Sequence, residues 1–108
     1  MPSTTLARGN ALSTFYIAPS LTPAAVLTQV SPVQTFNVPG LLTTDIVQVI
    51  GYLGNQTSGI VIAEADCLTA GVLSIQFANI TAGTLTPAAG VYQIQVVRPE
   101  GSLPVTAV

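Results

Sequence analysis

Turn-forming residues divide this chain so finely that strands fit between them and long helices do not. Nine Gly and eight Pro are spread over 108 residues, at the spacing of turns. Between them lie 13 Val, 8 Ile and 14 Thr. Their branched Cβ atoms suit a pleated surface better than a helix. No window carries a sustained 3.6-residue apolar stripe with caps, so no helix is predicted. The length is that of one domain.

The strands follow from alternation and turns. Ala24 to Val30 reads as a first weak strand, ended by Ser31-Pro32. Val33 to Val38 places Gln34, Phe36 and Val38 on one face, and Pro39-Gly40 is the dipeptide of a type II turn. Asp45 to Tyr52 is apolar on both faces apart from Gln48, as in a sandwich core or a subunit interface. Gly59 to Asp66 is mostly apolar. Val72 to Ala78 turns Leu73, Ile75 and Phe77 inward, and Val91 to Arg98 turns Tyr92, Ile94 and Val96 inward. Regular short strands between turns predict an all-β fold, a small β-sandwich of jelly-roll-like type. Its expected core includes Phe36, Val47, Val49, Ile62, Ile75, Phe77, Ile94 and Val96.

The ends differ in composition. Residues 1–23 hold Pro2, Pro19 and Pro23 and read as an extended N-terminal arm. The sandwich domain then covers 24–98, and 99–108 is an extended C-terminal tail with Pro99 and Pro104. Within the arm, Leu12, Phe15, Tyr16 and Ile17 form the only apolar cluster, a candidate subunit-interface anchor. Deleting residues 1–20 is then expected to leave the β-domain folded. The segment Leu21-Thr-Pro-Ala-Ala25 recurs as Leu85-Thr-Pro-Ala-Ala89, which reads as shared strand-entry chemistry rather than a duplicated unit.

Charge narrows the function. Only Arg8, Asp45, Glu64, Asp66, Arg98 and Glu100 are charged, and there is no Lys, His or Trp. Two Arg cannot track a phosphate backbone, so nucleic acid is not an expected partner. Without His there is no base titrating near neutral pH and no imidazole metal ligand. No enzyme and no cofactor are expected. The apolar runs, such as Ile60 to Ala63, are far shorter than the roughly 18 residues of a spanning helix, so no membrane is expected either. No signal peptide is read at the N-terminus, which implies synthesis in the cytoplasm. Strand faces rich in Thr, Ser, Gln and Asn can enter permanent contacts without the cost of desolvating a charge.

The remaining candidates have ordinary readings. Glu64 and Asp66 share a strand face and could hold a cation, but acidic strand ends also discourage edge pairing. Cys67 has acidic neighbours and no base, so it reads as a small buried side chain. Asn55-Gln-Thr57 and Asn79-Ile-Thr81 fit the glycosylation sequon. The glycines from Gly51 to Gly59 precede no Lys-Ser/Thr and no helix start, and read as turns.

The stretches Phe36 to Val49, Thr69 to Gly83 and Leu85 to Val96 share a style of strand and turn. In that style the chain resembles small tailed-phage virion β-proteins of the capsid decoration, or cement, type. The resemblance implies a structural virion protein on the capsid surface, a homotrimer whose partner is the major capsid protein and which bridges neighbouring capsid subunits. It supplies no site motif, so no catalytic, cofactor or metal residue follows from it. The alternative is a glycan- or host-surface-binding β-sandwich of a phage fibre or tail, which would need an aromatic platform.

Overall fold

The computed structural model describes residues 10–106, and among these it is all-β, with no helix. The strands are β1 (Ala11–Ile17), β2 (Ser20–Leu21), β3 (Val33–Asn37), β4 (Ile46–Tyr52), β5 (Ile60–Thr69), β6 (Val72–Asn79) and β7 (Gly90–Pro99). They form two antiparallel sheets. In the first, β7 is flanked by β1 and β2 on one side and by β4 on the other; in the second, β6 lies between β3 and β5.

The period-2 pattern explains the core. Tyr92, Ile94 and Val96 of β7 and Leu73, Ile75 and Phe77 of β6 are all fully buried. They alternate with Gln and Ser on the outer faces, as one-sided burial of antiparallel sheets requires. Phe77 meets Tyr92 edge to face at 6.3 Å between ring centres, and Tyr52 meets Tyr92 at 4.8 Å. Leu21, Val26, Val38, Leu41, Val47, Ile60 and Cys67 are buried with them. Of the expected core, Val47, Ile75, Phe77, Ile94 and Val96 are buried, while Phe36, Val49 and Ile62 are half-buried against them.

Two segments differ from the sequence reading. The region assigned to the arm contains β1 and β2, both paired with β7 from Ser13↔Arg98 to Leu21↔Gly90. Pro19 does not prevent this, because it falls between the strands; its carbonyl still accepts from Tyr92 N at 3.0 Å. Deleting residues 1–20 would therefore strip β1 from the sheet and expose β7. Conversely, Ala24 to Val30 is not a strand. Pro23 lacks a donor, Gln29 adopts a left-handed φ of 55°, and only Val26 pairs, as a bridge to Leu85. The Gln34 amide replaces the missing strand partner, accepting from Ala24 N at 2.7 Å and donating to Ala24 O at 2.9 Å. Past Pro99, residues 100–106 form no strand, and the remainder of the tail and of the arm lies outside the described residues.

The twin Leu-Thr-Pro-Ala-Ala segments lie against each other. Leu21 pairs with Gly90 and Val26 with Leu85, so the two copies run antiparallel, each facing the other end to end. Pro23 and Pro87 are buried at equivalent places. Gly90 has a φ of 146°, and a Cβ there would lie 2.7 Å from the Tyr52 hydroxyl, so only glycine fits.

Buried polar groups at this end are matched. Tyr92 Oη donates to Ala88 O at 2.6 Å and accepts from Gln56 Nε2 at 2.9 Å, and Gln56 Oε1 accepts from Ala88 N at 2.6 Å. Desolvation raises the Tyr92 phenol above its usual pKa. Tyr92→Phe keeps the ring but leaves Gln56 and Ala88 short of a partner, and should cost about 1–3 kcal/mol in urea unfolding. Phe77→Ala, which opens a cavity between the sheets, should cost about 3–5 kcal/mol.

Candidate functional site

The chain from β3 to β4 crosses from the second sheet to the first, and one ion pair fixes that crossing. Val38 to Leu41 closes as a turn, with Gly40 at a φ of 98° as the Pro-Gly dipeptide requires. The turn docks on the β5–β6 hairpin: Val38 N donates to Gly71 O at 2.9 Å and Gly71 N to Leu41 O at 2.8 Å. Asp45 then folds back on its own loop, its Oδ2 accepting from Leu42 N at 2.9 Å. Arg98 of β7 reaches the same carboxylate with both arms of its fork. Nε donates to Oδ1 at 2.8 Å and Nη2 to Oδ2 at 2.7 Å, while Nη2 also donates to Gly40 O at 3.0 Å. The guanidinium lies 5.2 Å from the Phe15 ring centre, which ties β1 to the same cluster.

The Asp45 side chain is wholly buried and that of Arg98 is partly exposed. The Arg98 hydrogen bonds hold the Asp45 carboxyl below its usual pKa, with help from the Leu42 amide and against the effect of desolvation. Beside the pair, Phe15, Ile17, Val38 and Leu41 line an apolar cleft of about 270 Å³, with Arg98 at its rim.

The candidate interface residues divide between two faces of β1. Phe15 and Ile17 are half-buried against the core. Leu12 and Tyr16 point the other way and are 68% and 65% exposed. They belong to the outer face of the first sheet, where Thr14 and Tyr16 sit beside Val97 and Gln95, and Ile46 and Gln48 lie beyond. Ile46 and Ile50 are each about half exposed. Among the described residues this face carries no charged side chain. Glu64 and Asp66 stand on the outer face of the second sheet, opposite Gln76 and Ser74.

Those two acids do share a face, as the sequence reading expected. Asp66 Oδ1 is buried without a hydrogen-bond partner. Among the described residues no three His, Cys, Asp or Glu side chains gather as a metal set. Cys67 is buried, its thiol donating to Thr69 O at 3.1 Å. Of the sequons, Asn55 is exposed and Asn79 is buried. Asn79 Nδ2 donates to Val26 O at 3.0 Å and to Gly83 O at 2.8 Å.

Sequence reasoning missed the Asp45–Arg98 pair. The signal was available: two isolated charges at the ends of apolar strands, in a chain that has only two Arg. No protein family, curated protein or solved structure matched the chain on comparison.

The pair carries a pH signature. A carboxyl with a depressed folded-state pKa adds stability above its unfolded value, and that stability is lost as pH falls through the folded one. Arg98→Met leaves Asp45 buried and unpaired, so the variant should be clearly less stable than wild type at neutral pH. The gap should narrow as pH is lowered from neutral to below the ordinary aspartate value of about 3.9 and the carboxyl protonates. Urea unfolding of both proteins across that range measures it.

Proposed function

We propose that this chain is a structural virion protein, a capsid decoration or cement protein that stabilises an icosahedral phage head by bridging neighbouring capsid subunits in threefold clusters. In this reading the two layers form a jelly-roll-like sandwich, and its work is done by surface rather than by a reactive group. The observation that carries the proposal is the outer face of the first sheet. Leu12, Tyr16, Ile46 and Ile50 are exposed there among Gln and Thr. Such a face enters a permanent interface without stranding a charge. Repeated over many identical sites on one particle, modest contacts add up.

A glycan-binding module has less support. Its aromatic platform would have to come from exposed rings, but Tyr92 is buried, and Tyr52 packs on Tyr92 with its hydroxyl bound to Ala89 O. Tyr16 is left as the exposed tyrosine.

If the source is a phage, mass spectrometry of purified virions should find the chain in stoichiometric proportion to the major capsid protein. Particles lacking it should lose their contents at lower temperature than complete ones. Absence of the chain from washed particles overturns the proposal.

A further inference from the structure

We propose that β1 is a self-pairing edge: a second copy of this chain lays its own β1 antiparallel alongside, about a twofold axis at Thr14, and joins the two first sheets into one. This goes beyond the virion reading and does not depend on where the protein resides.

The direction of the main-chain groups comes first. Tyr92 N donates to Pro19 O, and Leu53 N donates to Val91 O. Along β7, even-numbered residues therefore bond towards β1 and β2, and odd-numbered ones towards β4. The matching register, Phe15↔Val96 and Ile17↔Ile94, spends the odd-numbered groups of β1 on β7. Thr14 and Tyr16 then direct their N–H and C=O groups to the outer edge, where β1 has no second neighbour among the described residues.

An open edge is normally guarded by a charge, a proline or a bulge. The β5 edge has Glu64, Asp66 and two bulges, the β4 edge has a bulge between Val49 and Gly51, and β3 is short and follows Pro32. On β1 the register with β7 is unbroken from Ser13 to Ile17, with no charge and no proline. Its single irregularity falls at Leu12, at the start of the strand, and leaves Ser13 to Ile17 in step.

The strand also complements itself. With Thr14 opposite Thr14 of the second copy, Leu12 meets Tyr16 on the outer face, where both are now exposed. On the inner face Ser13 meets Phe15, small against large. Leu–Tyr and Thr–Thr cross-strand pairs are favourable ones. The uncharged outer face continues through Val97 and Ile46, so no like charges meet near the axis. A twofold contact of this kind is distinct from a threefold cluster and can join two such clusters.

The test uses the full chain. Across a hydrogen-bonded antiparallel pair the Cα atoms are about 5.5 Å apart, inside the range of about 4.4–6.8 Å that a disulfide spans. Thr14→Cys should give a covalent dimer under mild oxidation, and Cys67, being buried, does not compete. Gln48→Cys, on the same face but on β4, should cross-link at least tenfold more slowly. Tyr16→Lys guards the edge and should lower the mass of the unmodified assembly in sedimentation. The proposal is overturned if Thr14→Cys cross-links no faster than Gln48→Cys, or if Tyr16→Lys sediments like wild type. A virion-associated chain that fails both assays leaves the virion reading standing and removes this one.

Discussion

One antiparallel register holds the first sheet together. It runs without a slip from Ser13↔Arg98 through Leu21↔Gly90 to the bridge of Val26 with Leu85. Three prolines, Pro19, Pro23 and Pro87, interrupt the hydrogen bonds along it, yet the pairing resumes in step after each. A slip of one residue would turn Tyr92, Ile94 and Val96 from the core to solvent. The aromatic packing of Phe77 on Tyr92, and the position of Arg98 over Phe15, both depend on that step being kept.

The few charges are placed where they decide connectivity. Asp45 and Arg98 fasten the loop that carries the chain from one sheet to the other, and their mutual hydrogen bonds satisfy a carboxylate that is wholly out of water. Burying an ion pair is seldom worth much in net stability, and its strongest attested use is to fix register. Here it ties the residue that precedes β4 to β7. With that pair accounted for, the outside of the first sheet is left to amides, hydroxyls and aliphatic groups.

The strand faces were legible in the sequence because alternation is a local signal. Phe77 with Leu73 and Ile75, and Tyr92 with Ile94 and Val96, fall inward as their spacing says. The first strands were not legible. Three prolines in 23 residues read as an arm, but proline excludes a strand only at a position that must donate, and Pro19 sits where only its carbonyl is used. The weak strand at Ala24 to Val30 failed for the opposite reason: its apolar residues were real, but Pro23 and the left-handed Gln29 broke the ladder. The Leu12, Phe15, Tyr16 and Ile17 cluster was visible as a group. Its division into two faces needed the pairing with β7, and so did the meeting of Asp45 with Arg98, which are far apart in the chain.

Asn79 has a consequence for how the protein can be made. Its amide closes the network that holds Val26 and Gly83, so the folded chain hides the first residue of an Asn-Ile-Thr sequon. A secretory host would meet that sequon on the nascent chain, before β6 has partners on either side. A sugar added then could not be accommodated between the sheets, and the modified chain would be held back as misfolded. Production in a compartment without oligosaccharyltransferase avoids a failure that looks like instability and is in fact a matter of timing.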